Sequence, residues 1–267
     1  MEYDSLWTNL KGAPELSKNK AYPIFKVVYS LVKAFYPKTM PVNIEKIPDE
    51  PVVFVGNHTQ MNGPIVCEIY FPVKRRTWCA AQMMDIKEVP EYAFSDFWSQ
   101  KPRYTHPFYR LLSYIIAPFS AAVFTNAETI PVYHDHHTLT TFRETLNSLI
   151  EGTSVVIFPE HDVKHNHIVY DFQDGFVDIA RMYRKKTGKE LKFVPFYIAP
   201  KLRSFHFGDY VEYDSTNDAA SERRRICDRL MDEITRIAVS LPEHTVVPYR
   251  NIPKKLYPSN RSEVSAK

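Results

Sequence analysis

The stretch Val52-Val53-Phe54-Val55-Gly56-Asn57-His58-Thr59-Gln60-Met61-Asn62-Gly63-Pro64 decides how the chain is read. Its near-continuous apolar run, Val52–Val55, predicts a strand covered on both faces, as in a parallel sheet. Asn57 and His58 follow Gly56 in a loop. Pro64 then suits the first turn of a helix, where its missing N–H costs nothing. An imidazole at the mouth of a buried strand is well placed to act as a general base. By position alone, a turn histidine without chemistry is the commoner case.

Working outward, Ile24, Val27, Val28, Leu31, Val32 and Phe35 recur at helical spacing, with Lys26 and Lys33 flanking them. This predicts an amphipathic basic helix over 21–36, either packed on the domain or lying in a membrane interface. Short apolar runs predict strands at 42–47 (an edge), 52–55, 78–81, 129–133, 154–158 and 193–199. Helical spacing predicts helices at 64–71, 137–150 (ended by Gly152), 174–186 (ended by Gly188) and 221–241, the last with Ser221 as N-cap. The apolar segment 108–124, interrupted by Arg110 and Pro118, reads as a buried or interfacial helix, short of the roughly 20 clean residues of a span. The triplet Lys74-Arg75-Arg76 reads as a solvated turn. Strands alternating with helices imply an α/β fold with a mixed, largely parallel sheet flanked by helices, over 41–241. A lead-in and amphipathic helix (1–40) precede it, and a Pro-rich basic tail (242–267), draped or disordered, follows. Ligands in such folds sit beyond the carboxyl ends of the strands, the position of both Asn57-His58 and Pro159-Glu160-His161.

Composition narrows the chemistry. Seven glycines in 267 residues leave no GxGxxG and no Walker-type loop, against the usual nucleotide folds. A net charge of +3 is too mild to imply nucleic acid but suits an anionic membrane surface or a phosphorylated substrate. Cys67, Cys79 and Cys227 are too widely spaced for a disulfide framework or a zinc site, which points to a reducing, cytoplasmic setting. The opening Met-Glu-Tyr-Asp-Ser has no secretory character.

With these blocks in order, the chain resembles the glycerolipid acyltransferases, the acylglycerol-phosphate acyltransferase family. Val53-Phe54-Val55-Gly56-Asn57-His58 resembles the entrance to the family's Asn-His-x4-Asp motif, and Ile130-Pro131-Val132 its second block. Val156-Ile157-Phe158-Pro159-Glu160 resembles the Phe-Pro-Glu-Gly block, Phe172 and Gly175 the Phe-x-x-Gly after it, and Val194-Pro195 the fourth. The resemblance covers about residues 50–200. It implies a glycerol-3-phosphate acyltransferase-like fold, an acyl thioester (acyl-CoA or acyl-carrier protein) as donor substrate, a lysolipid acceptor such as lysophosphatidic acid, and no cofactor or metal. It further implies a protein held peripherally on the inner face of a membrane.

The departures fall at the chemistry. Gly63 stands where the family carries Asp, Tyr133-His134 where a basic residue is usual, and His161-Asp162-Val163-Lys164-His165 where Gly and a Thr-x-Arg region are expected. The resemblance assigns the base to His58, beside Asn57 and Glu160, with no acyl-enzyme, consistent with the lack of a Gly-x-Ser-x-Gly elbow. Losing the orienting Asp is serious: the equivalent exchange in a protease triad costs about 10⁴ in rate. Asn62, Glu68, Asp135 and Asp162 are the candidates to replace it, and a carboxylate of the Glu160–Asp162 loop is favoured. On the substrate side stand Asn62, Gly63, Pro159 and His161, with Lys164 as the closest analogue of the family's phosphate-binding residue and His165 and His134 behind it. Two other readings remain open: a catalytically silent lipid- or acyl-thioester-binding protein of the same fold, and a metal-dependent hydrolase built on the His161–His167 and His134–His137 clusters.

Overall fold

A computed structural model describes residues 22–127, 129–133, 138–161 and 168–262. Its strands are β1 (Met40–Val42), β2 (Val53–Gly56), β3 (Arg75–Ala80), β4 (Thr129–Val132), β5 (Ser154–Ile157), β6 (Lys192–Ala199), β7 (Ser204–Phe207) and β8 (Val211–Glu212). The helices are α1 (Tyr22–Phe35), α2 (Asn62–Tyr70), α3 (Val89–Ala93), α4 (His106–Asn126), α5 (Thr138–Ile150), α6 (Ile179–Thr187) and α7 (Ala219–Ser240). The strands form one sheet in the order β1-β7-β6-β2-β5-β3-β4, with β8 paired to the start of β6. β2 runs parallel to both β5 and β6, β3 parallel to β5 and β4, and β1 parallel to β7. Only β7 and β8 run antiparallel to β6 among the described strands. The fold is the mixed, largely parallel α/β sheet flanked by helices that the alternation of elements predicts.

The apolar run of β2 is buried on both faces because alternate side chains enter two different cores. Val53 and Val55 join Val155, Ile157 and Tyr197 under α5, α6 and α7. Phe54 joins Val156, Val194, Phe196, Phe205 and Phe207 under α2, with Tyr29, Val32 and Tyr36 packing from α1 and just beyond it. A period of two on a strand with helices on either side requires this division.

Two local expectations are corrected and a third is narrowed. β3 begins at Arg75, so the basic triplet is not a solvated turn. Arg75 is buried, donating from Nε to the Cys67 carbonyl (2.7 Å) and pairing with Glu68 (3.0 Å), while Arg76 bonds the Thr129 carbonyl (2.7 Å) and Glu144 (3.2 Å). α7 is capped by Asp218 rather than Ser221: the Asp218 carboxylate accepts from the Ala220 and Ser221 N–H groups, two donors that the first turn leaves unpaired. For the tail as far as residue 262, the disordered alternative is excluded and the draped one holds. Asn260 is fully buried, donates to the Ala238 carbonyl at the end of α7 (2.9 Å) and accepts from the His244 N–H (2.9 Å). His244 in turn bonds the Tyr197 hydroxyl through Nε2 (2.8 Å).

The two apolar helices each pack by one face and leave apolar residues outward. α1 packs inward through Phe25, Tyr29 and Val32, whereas Ile24, Val27, Leu31 and Phe35, much of the stripe the spacing picks out, are exposed. α4 packs on α1 and α3, with Ala117 against Val89 and Ala93 of α3; it buries Ser113, Ala117 and Ala122 and exposes Phe108, Leu111, Tyr114, Ile115 and Phe119. By length and composition alone, the stretch Arg103–Asn126 is long and apolar enough to cross a membrane, with Arg110 and Pro118 still interrupting it.

Candidate functional site

Pairing of β2 with its neighbours brings the two predicted loops together. Val55 stands opposite Ile157 of β5 and Gly56 opposite Phe196 of β6, so Asn57-His58 and Phe158-Pro159-Glu160 leave the sheet side by side. Gly56 is needed for this approach, since a Cβ there would meet the Phe196 ring at 2.5 Å. Asn57 is buried, and its amide group closes a ring with the Ile198 backbone, donating to the carbonyl (3.0 Å) and accepting from the N–H (2.7 Å). That pairing fixes the direction in which the chain leaves β2 and occupies the Asn57 side chain with the sheet.

The loop then reverses sharply into α2. Thr59 and Gln60 both adopt left-handed backbone (φ 50° and 55°), an arrangement that costs non-glycine residues energy and is retained where surroundings over-determine it. The turn closes when the Gly63 N–H donates to the His58 carbonyl at 3.0 Å. A Cβ on residue 63 would lie 2.2 Å from that carbonyl oxygen. Position 63 therefore has no room for the Asp of the resembling family: any side chain there would break the turn that carries His58. Asn62 does not reach the imidazole either. Its amide nitrogen donates to the Thr59 carbonyl (2.9 Å), and its oxygen accepts from the Tyr36 hydroxyl (2.9 Å).

His58 is held by its backbone and by aromatic rings. Its N–H donates to Glu160 Oε1 (2.5 Å), so the carboxylate from the end of β5 grips the main chain of the loop rather than the ring. The imidazole lies edge to face with Phe158 (centroids 5.1 Å apart) and Tyr249 (5.2 Å). Although the residue as a whole keeps some exposure, Nδ1 is shielded from solvent and has no hydrogen-bond partner among the described residues. Burial pushes the imidazole down to about 4, opposed only by the Gln60 backbone, so the ring is neutral at pH 7. The same burial pushes the Glu160 carboxyl up to about 7, moderated by the N–H it accepts. A neutral imidazole has a lone pair for a hydroxyl proton; without a charged partner its basicity is low.

The other predicted residues divide by position. Glu68 pairs with Arg75 and is turned away from the ring. Pro159 and His161 lie in the Glu160 loop, with the Pro159 carbonyl accepting from the Gln173 N–H (2.8 Å) and the His161 N–H donating to the Asp171 carbonyl (3.3 Å). These bonds, with the Glu160–Phe172 bridge, fold the loop back on itself and leave the His161 residue exposed. His134, Asp135, Asp162, Lys164 and His165 lie outside the described residues, as do His136, His137 and His167. Among the described residues, no group of three His, Cys, Asp or Glu side chains is arranged to hold a metal ion.

Sequence reasoning missed Tyr249 and Gln60. Gln60 donates from Nε2 to the Arg250 carbonyl (3.1 Å) and to the Tyr257 hydroxyl (3.0 Å), tying the C-terminal segment to the His58 turn. The signal for Tyr249 was the density of aromatic and proline residues in a tail without periodicity, and nothing in the loop after His58 marked Gln60.

The fold and this pair of strand-end loops define an α/β protein with a half-buried neutral histidine at the centre of its sheet. In structure the chain is similar to the 1-acyl-sn-glycerophosphate (LPA) acyltransferase PlsC from Thermotoga maritima, with a TM-score of 0.46 and 13% sequence identity over 85% of this chain and 86% of that one. No family model matches the chain. Nor does any curated protein match it.

Restoring the family's carboxylate at Gly63 is expected to damage the protein rather than improve the base. Gly63→Asp should lower stability by about 2–3 kcal/mol or more, as overpacking of a closed turn does. Urea or guanidinium denaturation measures this. A variant as stable as wild type would show that the turn can open to admit a side chain.

Proposed function

We propose that the protein transfers an acyl group from a thioester, acyl-CoA or acyl-carrier protein, to a hydroxyl of a glycerolipid acceptor such as lysophosphatidic acid, with His58 as general base. The observation that carries this reading is the position of a neutral, half-buried imidazole at the carboxyl end of the central strand, next to Glu160 at the end of the neighbouring one. In this reaction the imidazole takes the hydroxyl proton as the acceptor oxygen attacks the thioester carbonyl. The tetrahedral intermediate collapses, the C–S bond breaks, and the thiolate recovers the proton from the imidazolium. Neutral thiol and ester are the products, and no acyl-enzyme is needed. Glu160 acts by holding the His58 main chain, and Lys164, with His165 and His134, is proposed to meet an acceptor phosphate.

A second reading has its own support. The ring has no carboxylate partner among the described residues, which favours a protein of the same fold that binds lipid or acyl thioester without turnover. The two are separated by thioester consumption in the presence of a lysolipid panel, comparing wild type with His58→Ala. The acyltransferase reading predicts turnover that falls by about 10²–10⁴ in the variant, the usual contribution of a general base. It also predicts the pH dependence. Because the folded imidazole titrates near 4, below its ordinary 6.5, the base form is fully present above about pH 5. The His58 limb of kcat/KM should therefore fall only below about pH 5, and any change near pH 7 belongs to the raised Glu160 carboxyl. Turnover unaffected by His58→Ala would remove His58 from the mechanism; no turnover with any acceptor would favour the binding protein.

Lipid substrates call for a membrane surface, and a peripheral position on the cytoplasmic side is part of the proposal. Its support is the pair of packed helices α1 and α4, whose outward side chains include Val27, Leu31, Phe35, Leu111, Ile115 and Phe119. Lys26 and Lys33 lie beside them over the Tyr22 and Tyr29 rings. Apolar faces flanked by lysines suit an interface with anionic headgroups. The double variant Leu111→Asp/Ile115→Asp, at exposed positions, should reduce sedimentation with anionic phospholipid vesicles about tenfold or more. Unchanged vesicle binding would refute this face as the docking surface.

A further inference from the structure

The tail beyond α7 does more than finish the chain. Residues 242–262 form a strap whose two ends meet: the Val246 N–H donates to the Pro258 carbonyl, the Asn260 N–H donates to the His244 carbonyl, and Thr245 bridges Ser259. The base of the strap is fixed to α7 by buried Asn260 and by Arg261, which donates to the Val239 (2.8 Å) and Leu241 (3.0 Å) carbonyls. It is fixed to β6 by the Tyr197–His244 bond. Because His244 Nδ1 faces the Pro242 carbonyl (2.7 Å), which can only accept, the proton sits on Nδ1 and Nε2 accepts from Tyr197. The far end of the strap is tied at two further points. Gln60 bonds it beside the His58 turn, and Asn251 donates to the Phe97 carbonyl (3.2 Å) in the segment after α3. Between these ties Tyr249 rests on the imidazole at a 5.2 Å centroid distance, its ring plane nearly perpendicular (89°).

We infer that Tyr249 is a positioning residue for His58: the strap carries its ring onto the imidazole, and the clamp it makes with Phe158 holds that ring in place of the carboxylate that Gly63 leaves no room for. An edge-to-face pair contributes about 0.5–1.5 kcal/mol beyond the area it buries, enough to favour one ring orientation severalfold. Among the described residues, the alternative side chains for holding the ring are occupied elsewhere, and only the Gln60 backbone also bears on it. Glu160 faces the His58 N–H, Asn62 faces Thr59 and Tyr36, and Glu68 faces Arg75. Glu160, which accepts from the His58 N–H and whose carboxyl burial raises to about 7, is the titratable side chain bonded to this residue, and it holds the main chain rather than the ring. Beyond Tyr249 stand Tyr92 and Asp96; burial, Asp96 and Tyr249 together hold the Tyr92 hydroxyl in its protonated form. The inference deepens the acyltransferase reading and rests on it only for what the imidazole does once held.

The test uses the full chain labelled with ¹³C-histidine and needs no substrate. The His58 Cε1 resonance, assigned by its loss in His58→Gln, is followed between about pH 5 and 8, where an ordinary histidine titrates. Wild type is expected to show no imidazole titration, only a small displacement near pH 7 as the neighbouring Glu160 carboxyl ionises. Tyr249→Ala, which opens the ring to water, should titrate within the window, and Tyr249→Phe, which keeps the aromatic edge, should not. Tyr257→Phe removes the strap's bond to Gln60 while leaving Tyr249 in place; it should move the midpoint upward by a smaller amount, and serves if the alanine variant does not fold. The inference is overturned if His58 shows no imidazole titration in Tyr249→Ala and Tyr257→Phe alike. Equal movement in the Phe and Ala variants also overturns it, since the hydroxyl and not the ring would then be responsible. A protein that shows the expected titrations but transfers no acyl group would keep the clamp and remove the acyltransferase reading.

Discussion

The candidate site depends on one close approach, the Gly63 N–H against the His58 carbonyl at 3.0 Å. It closes a five-residue reversal between β2 and α2, and it exists only because residue 63 has no Cβ. Two left-handed residues, Thr59 and Gln60, sit inside the reversal, and Asn62 ties its own end back to the Thr59 carbonyl. The outcome is a histidine whose main chain is fixed at both the N–H, by Glu160, and the carbonyl, by Gly63. A loop pinned on both sides of one residue needs no side-chain partner to hold that residue's position. It needs something only to set the rotation of the ring.

Burial supplies the electrostatics of the arrangement. Removing the imidazole and the Glu160 carboxyl from water disfavours the charged form of each, so the first is driven down to about 4 and the second up to about 7. The signs of their effects on stability are opposite. The raised Glu160 contributes stability that is present below its ordinary 4.5 and is lost as pH rises through about 7. The lowered His58 contributes stability that is present above its ordinary 6.5 and is lost as pH falls towards about 4. A site built this way favours a neutral imidazole over a strong base.

Much of this was legible in the sequence where a regular period governs it. The apolar run Val52–Val55 gave a strand buried on both faces, and Gly152 and Gly188, both with positive φ, ended the helices they were expected to end. Asn57-His58 and Pro159-Glu160 met at adjacent strand ends because parallel pairing leaves no other arrangement. The failures come where side chains serve a non-periodic contact. Arg75 looked like a surface charge, yet it is buried by its bonds to the Cys67 carbonyl and Glu68. α1 has apolar residues on two sides, so spacing could not say whether the aromatic or the aliphatic stripe faces the core. The tail has no period at all, and its order rests on Asn260 and Arg261 satisfying carbonyls at the end of α7. Gly63 read as a loss from a motif; in the fold it is a steric requirement of the turn.

Among the described residues, the imidazole of His58 is neutral and has no carboxylate on its ring. Long-range ¹H–¹⁵N spectroscopy of ¹⁵N-histidine-labelled protein at pH 7 tests it most directly, because nitrogen shifts report protonation state and a carboxylate-bonded Nδ1 proton resonates far downfield. The account predicts a neutral ring with no such proton. A strongly downfield Nδ1 proton that disappears in Asp162→Asn would contradict it, and would return the missing partner to the loop after Glu160.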